Sequence, residues 1–449
     1  MGTTITRGLT VRSRCIRIGT AVCVLGVALQ ACATAARPAS DAGATNGSYA
    51  NARALRADIG YLASNRLEGR GTGTPGNDSA AAYIARRFAA LGLTALAPDF
   101  EQSFVARPVL AHTVAPISLR TENVVGLLPG SDSALRQQYV VVGAHFDHLG
   151  RSTEGALDPE RKNAVRRGAD DNASGTAAVL ELARLFSAHP TRRSLVFVTF
   201  SGEEMGLLGS EYFVENSPIP LDSAVAMINF DMVGRLREDK LIVYGVATAT
   251  ELPALLDSAN SAATAPRWRA PLRITALGDG YGPSDHSSFY ARNIPVLHFF
   301  TDLHEDYHRA TDVPSKINAV GEAHVVDLAE QVIRSIADRG SRLTFVRSAS
   351  PPPVAGGSRQ GPDVYLGSIP DMSGGAPGLR LTGIRAGSPA EQAGLVAGDV
   401  IVEFAGHPVK DLYDFSDALY GHRPGDSVSV VVLRNGERKQ FTVRLGKRG

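Results

Sequence analysis

Four short apolar runs, each followed by a residue that can carry charge or bind a cation, constrain this chain more than any other feature. Tyr139–Ala144 leads into His145, Ser194–Phe200 into Ser201-Gly202-Glu203-Glu204, Ala224–Phe230 into Asp231, and Ile294–Phe300 precedes Asp306-Tyr307-His308. Runs of this length, rich in Val, Ile and Phe, read as strands buried on both faces of a parallel sheet. Between the first two, Gly175–Ser187 places Ala178, Leu182, Leu185 and Phe186 on one helical face, which supplies the crossover that parallel neighbours need. The fold class expected is α/β, a mostly parallel twisted sheet with helices on both faces. Such sheets collect their ligand-binding groups beyond the carboxyl ends of the strands.

The residues at those ends have bland and chemical readings. In His145-Phe146-Asp147-His148, persistence of extended geometry would put Asp147 on the same side as His145, able to accept its second ring N–H. A hydrogen-bonded pair without metal is the plain alternative, and His148 has no assigned role. In Gly168-Ala169-Asp170-Asp171-Asn172-Ala173-Ser174-Gly175, the acids could simply face a helix N-terminus. The small residues around them would equally let one carboxylate approach two ions. Glu203 and Glu204 read either as a solvated pair or as one metal ligand beside one proton carrier. Asp231 closes a buried strand, where an acid needs a partner or a metal. With His308 the set becomes two histidines and three carboxylates from separate segments, a donor set suited to a pair of borderline cations such as zinc.

In order and wording these segments resemble the di-zinc aminopeptidases of metallopeptidase family twenty-eight, over about residues 50–345. The resemblance implies a zinc aminopeptidase fold holding two Zn2+ per chain and acting on peptides with a free N-terminus. Carried over position by position, it implies that His145 and Asp231 hold one ion, Glu204 and His308 the other, and that Asp171 bridges them. Glu203 matches the general base, Asp147 the acid that orients His145, and Tyr307 a phenol that stabilises the oxyanion. The Asp171–Asn172 region matches a turn with a non-proline cis peptide, and Ser284-Asp285-His286 reads as structural support. Two rivals remain: a glutaminyl cyclase of the same fold, with one zinc, and a non-catalytic peptide-binding receptor.

The chain ends carry other instructions. Arg7, Arg12, Arg14 and Arg17 precede an apolar run, Ile18–Leu29, too short for a permanent span. The following Leu29-Gln30-Ala31-Cys32 resembles a bacterial lipobox, with Gln30 departing from the usual small or β-branched residue. It implies a signal peptide over 1–31 and a lipid anchor on Cys32 in the outer membrane; an ordinary cut near Ala31–Ala36, leaving a periplasmic or secreted protein, is the alternative. All three cysteines lie at positions 15, 23 and 32, so no disulfide is expected in the mature protein. Residues 32–49 read as a tether and 346–362 as a Ser/Pro/Gly linker. From 363 to 449, Gly387-Ser388-Pro389-Ala390-Glu391-Gln392-Ala393-Gly394-Leu395 and Gly398-Asp399-Val400-Ile401 resemble a bacterial PDZ domain. Its carboxylate-binding loop would be Tyr365-Leu366-Gly367 and its groove helix Leu412–Tyr420. That domain would either take an extended C-terminus as an added strand or only pack against the catalytic domain. A balance of 46 basic against 45 acidic residues gives no field to attract nucleic acid.

Overall fold

The computed structural model describes residues 49–107, 118–347 and 364–447, apart from 154–155, 159, 265–266, 279, 281, 283, 371–377, 385–386, 411–413, 416–417 and 420. The expected signal peptide, Cys32, nearly all of the tether and most of the linker lie outside the described residues.

The first part opens with helices α1 (Ala52–Leu62) and α2 (Pro75–Ala90). Asn51 starts α1 by accepting N–H bonds from Arg53 and Ala54, and Thr74 with Pro75 starts α2. Nine strands follow: β1 (Thr94–Ala95), β2 (Glu101–Ala106), β3 (Leu119–Leu128), β4 (Tyr139–His145), β5 (Ser194–Phe200), β6 (Ala224–Phe230), β7 (Lys240–Tyr244), β8 (Arg273–Ala276) and β9 (Val296–Phe300). They form one sheet in the order β1-β3-β5-β4-β6-β9-β7-β8, with β2 also on β3. Its centre, β5-β4-β6-β9, is parallel; β3 and β7 join the flanks antiparallel. Every residue of β4, β5 and β6 is buried, which is why these strands read as unbroken apolar runs.

Helices α3 (Gly175–Ala188), α5 (Leu252–Thr264) and α7 (Ala319–Ala337) cover one face with α1 and α2, while α4 (Leu208–Glu215) and α6 (His286–Tyr290) cover the other. Side-chain alternation divides β4 between them, Val140, Val142 and Ala144 entering the first core and Val141 the second. The crossover helix has its expected start and differs from its expected form in one way. It begins at Gly175, and it is buried around almost its whole circumference, not on one face alone, because α1 and α7 pack outside it. Glu181, fully buried there, is held by Arg184 at 2.8 Å and by the Asn51 N–H at 2.6 Å.

The C-terminal part has its own core, drawn from Val364 to Leu445. Strands β10 (Val364–Tyr365) and β17 (Gly446–Lys447) pair with each other; β11 (Ser368–Pro370), β12 (Leu379–Ile384), β13 (Val400–Phe404), β15 (Ser427–Arg434) and β16 (Glu437–Arg444) form an antiparallel sheet in that order, with β14 (His407–Pro408) on β13. Helix α8 (Pro389–Gln392) is capped by Ser388. Gly367, at φ +83°, turns the chain between β10 and β11 where a Cβ would meet the Ser388 side chain. Leu412 and Tyr420, the ends of the expected groove helix, lie outside the described residues; Phe415, Ala418 and Leu419 between them are core. Among the described residues no helix is long and apolar enough to cross a membrane.

Candidate metal centre

Strand register assembles the site. Parallel pairing sets His145 opposite Phe200 and Gly143 opposite Asn229, so the residues after Phe200 and the acid two places beyond Asn229 emerge level with His145. Asp231 accordingly places Oδ1 3.4 Å from His145 Nε2. On the other side of His145, the turn 169–174 brings Asp171 Oδ1 to 3.5 Å from the same nitrogen. The second Asp171 oxygen faces a different histidine, His308 Nε2, at 3.1 Å, and Glu204 Oε2 lies 3.1 Å from that nitrogen too. One carboxylate thus spans two His–carboxylate groups.

The turn carrying Asp171 depends on its neighbours. Gly168 takes φ +55°, and a Cβ there would strike the Asp171 carbonyl at 1.9 Å; one on Gly175 would meet Asn172 Oδ1 at 2.3 Å. The Asp171–Asn172 peptide is cis. Asp312 receives the N–H groups of Asp170 and Asp171, at 2.8 and 3.2 Å. Asp170 points away from the centre, accepting from Gly234 N–H at 2.7 Å and Ser174 at 3.0 Å.

Around these groups other side chains fix the loops. Buried Arg70 donates to the carbonyls of Leu62, Phe146, Arg167 and Gly168, clamping the two strand-end loops. Buried Arg166 pairs with Asp158, whose other oxygen takes the Ala310 N–H at 2.9 Å, and Leu157 N–H bonds the His308 carbonyl at 3.0 Å. His308 sits at φ +52°, a left-handed conformation that a histidine adopts only where its surroundings hold it. Ser284 donates to Asp231 Oδ2 at 2.9 Å, a supporting contact from the Ser-Asp-His segment.

Three findings refine the sequence reading. The partner nearest to His145 Nδ1 is the Asp147 carbonyl at 3.2 Å, with the Asp147 carboxylate at 3.6 Å. That carboxylate instead accepts from Thr72 at 2.9 Å and from the Glu203 N–H at 3.2 Å, so it ties the glutamate loop to the β4 loop. His148, left without a role by sequence, bonds Glu204 Oε1 through Nδ1 at 2.7 Å. It was missed because a second histidine in an aperiodic loop carries no signal until its partner is placed. Tyr307 stacks on the His308 ring, centroids 3.9 Å apart, at the rim of an apolar cluster of Met232, Tyr244 and Phe300.

The electrostatics are those of a carboxylate-rich, dehydrated site. Burial pushes Glu203 well above the usual carboxylate range, an effect that His145 moderates and Glu204 and Asp231 reinforce. Burial also acts on Glu204, but His308 and His148 outweigh it and hold this group well below. Burial opposes charge on His145, yet Glu203 and Asp231 raise its pKa well above the ordinary value. Burial, with the surrounding carboxylates, pushes the Tyr307 phenol well above 10, so it stays protonated at neutral pH.

These residues fit zinc. Ligand atoms about 2.0–2.1 Å from a tetrahedral ion lie about 3.3 Å apart, and the four separations converging on His145 and His308 run from 3.1 to 3.5 Å. Asp231 Oδ1 is buried with no hydrogen-bond partner, as expected of an atom meant for a cation. Donor atoms of His145, Glu203 and Asp231, and of His145, Asp171 and Glu204, each lie within 4.8 Å of one another.

Comparison with known proteins decides the family of this part, since residues 123–333 match the model of peptidase family M28. The chain carries an M28 peptidase domain. Residues 364–445 match the PDZ domain model. The chain is 35% identical over 126 residues to a probable zinc metalloprotease of Pyrenophora teres f. teres, covering 28% of this chain and 25% of that protein. It is 28% identical over 180 residues to aminopeptidase YwaD of Bacillus subtilis, covering 40% and 35%. The chain thus spans about a quarter to a third of these relatives' own lengths. The M28 fold is shared with a Zn-dependent exopeptidase from Parabacteroides distasonis (TM-score 0.52, 18% identity, 64% of this chain and 98% of that one). It is shared equally with a glutaminyl cyclase from Porphyromonas gingivalis (TM-score 0.52, 18% identity, 64% and 99%).

Proposed function

We propose that the protein is an aminopeptidase using two zinc ions, one held by His145 and Asp231, the other by Glu204 and His308, with Asp171 shared. The supporting observation is Asp171 itself, whose two oxygens face two different histidines at 3.5 and 3.1 Å. Zinc, when bound, would supply the Lewis acidity that makes water a nucleophile at neutral pH and polarises the scissile carbonyl.

The chain's own groups then divide the work. Glu203 takes a proton from the attacking water and returns it to the leaving amine; its raised pKa suits both transfers. Its backbone is anchored by Asp147, which also holds His145 through the carbonyl. Tyr307, protonated beside His308, donates a hydrogen bond to the oxyanion. Buried carboxylates favour a substrate's positive α-amino group, so the chain is trimmed from its N-terminus. The glutaminyl cyclase reading shares the fold, and metal count separates the two, since His145 with Asp231 provides for a second ion.

The test is release of free amino acids from aminoacyl amides and short peptides by the full-length protein, with zinc measured in parallel. Two zinc ions per chain, N-terminal release and inertness toward N-acetylated peptides are expected. Zinc-loaded protein that frees no residue from any of them would overturn the reading.

We further infer export with lipid on Cys32, on the strength of the arginine-led apolar segment and the lipobox-like tetrapeptide; Cys32→Ser should move the protein from the membrane to the soluble fraction. In the PDZ domain, β11 pairs on one side with β12 and with no second strand among the described residues, which supports strand addition by an extended peptide.

A further inference from the structure

Beside the metal centre lies an open cavity of about 410 Å³ whose polar lining is Asn65 and three arginines, Arg151, Arg161 and Arg167. No acid lines it among the described residues, in a chain whose overall charge is nearly balanced. Arg167 uses its guanidinium on neutral acceptors, Asn65 Oδ1 at 2.7 Å and the Ala310 carbonyl at 3.3 Å, and pairs with no carboxylate among the described residues. Among the described residues the carboxylate that Arg161 reaches is Asp158, at 3.8 Å, and it is already committed to Arg166 and the Ala310 N–H. Arg151 pairs with Glu68 at 2.9 Å, but both side chains are about half exposed, and such surface pairs exchange readily for another anion.

The cavity is placed by the same contacts that place the site. Ala310, part of its wall, is two residues from His308, within about 7 Å along the backbone. Arg167 lies four residues before Asp171, its carbonyl held by Arg70. An extended peptide advances about 3.3 Å per residue. An acid two or three residues beyond a bond positioned at the metal centre is therefore within reach of the cavity.

We propose that this cavity binds a carboxylate of the peptide substrate downstream of the cut bond, either an Asp or Glu side chain or the C-terminal carboxylate of a short peptide. Planar guanidinium groups suit carboxylates by bidentate pairing. The proposal rests on the aminopeptidase reading for its position in the substrate, but not for the binding itself.

The test compares full-length protein on Leu-Ala-Asp-Asp and Leu-Ala-Asn-Asn, each with free and amidated C-terminus. The acidic peptides should show a KM about three- to tenfold lower at low salt with kcat little changed, and 0.5 M NaCl should erase the difference. Loss of the preference on amidating Leu-Ala-Asn-Asn identifies the C-terminal carboxylate; its persistence in amidated Leu-Ala-Asp-Asp identifies the side chains. The charge-reversed double variant Arg151→Glu with Arg161→Glu should abolish the preference and leave the amidated neutral peptide unaffected. Arg161→Gln alone, a milder surface change, should halve it or more. Equal KM values for all four peptides in the wild type, or an undiminished preference in the variants, would overturn the proposal. Fluorescence anisotropy with an N-acetylated, labelled acidic peptide reads binding without hydrolysis. Charge-dependent binding with no peptidase activity would leave the cavity standing and remove the aminopeptidase reading, whereas peptidase activity without it removes only the cavity.

Discussion

The M28 domain and the PDZ domain bury polar groups on different terms. The first takes Arg70, Arg166, Asp171, Glu181, Asp285, His286 and Glu322 into its interior; in the second, Ser388 and Asp399 are the buried polar side chains among the described residues. Burying charge is costly unless it is paired, and a domain accepts that cost where dehydrated charge does chemistry. A module that recognised a strand through backbone N–H groups, as proposed for the PDZ domain, would have no such need. The difference teaches where each domain is vulnerable: the first through its interior ion and dipole contacts, the second chiefly through its apolar core.

The largest effects should come from the centre itself. Asp171→Ala removes the carboxylate facing both histidines and is expected to lose zinc and activity together, whereas Glu203→Gln should keep its zinc and lose about 10²- to 10⁴-fold in kcat. Full turnover in Glu203→Gln would eliminate it as the base. Next in size is Arg70→Met, which leaves four backbone carbonyls, three of them in buried contacts, without their guanidinium donor and should cost about 3–5 kcal/mol in denaturant unfolding. An unchanged midpoint would show that the clamp is dispensable.

In the PDZ domain the corresponding probe is Asp399→Asn. Asp399 meets Arg434 in a two-point pair at 2.7 and 2.8 Å and accepts the Val396 N–H at 3.0 Å. Allowing for the partly exposed arginine, the loss should be about 1–2 kcal/mol, read as faster hydrogen exchange in β12 and β13, with hydrolysis of a small amide unaltered. A loss as large as that for Arg70 would erase the contrast between the domains.

The smallest effect is also the one that depends on pH. Both Glu322 oxygens are buried without a hydrogen-bond partner, and burial, with Asp170 and Glu181 nearby, raises its pKa well above the ordinary 4.5. Its protonated form therefore favours the folded state; that contribution is complete below about pH 4.5 and is lost as the pH climbs toward the raised value. Glu322→Gln, which cannot ionise, should gain in Tm over the wild type between pH 5 and pH 8, by about 2–4 °C. A difference that stays flat with pH would mean that Glu322 does not titrate there.

Much of this was legible in the sequence. That His145, Glu204 and Asp231 stand together is legible because fully buried strands end abruptly, and the break marks the sheet's carboxyl edge. The antiparallel joins of β3 and β7 were not, since an apolar run carries no sign of its neighbour's direction. Nor were Asp312, Arg70 or the Asp158–Arg166 pair: each acts by reaching a backbone group or side chain far along the chain, and no local spacing encodes that reach. The crossover helix reads as amphipathic, and its burial all round is not legible because its outer face is covered by helices remote in sequence.

Arg70 gathers acceptors from Leu62, Phe146 and the Arg167–Gly168 corner, stretches that have no reason to meet until the sheet is complete. A guanidinium drawn out of water with half its acceptors absent is worse off than one left in solvent, so docking one wall alone brings no gain. The loops beside His145 and Asp171, which carry the Phe146 and Gly168 carbonyls, are then expected to lock together in one late step.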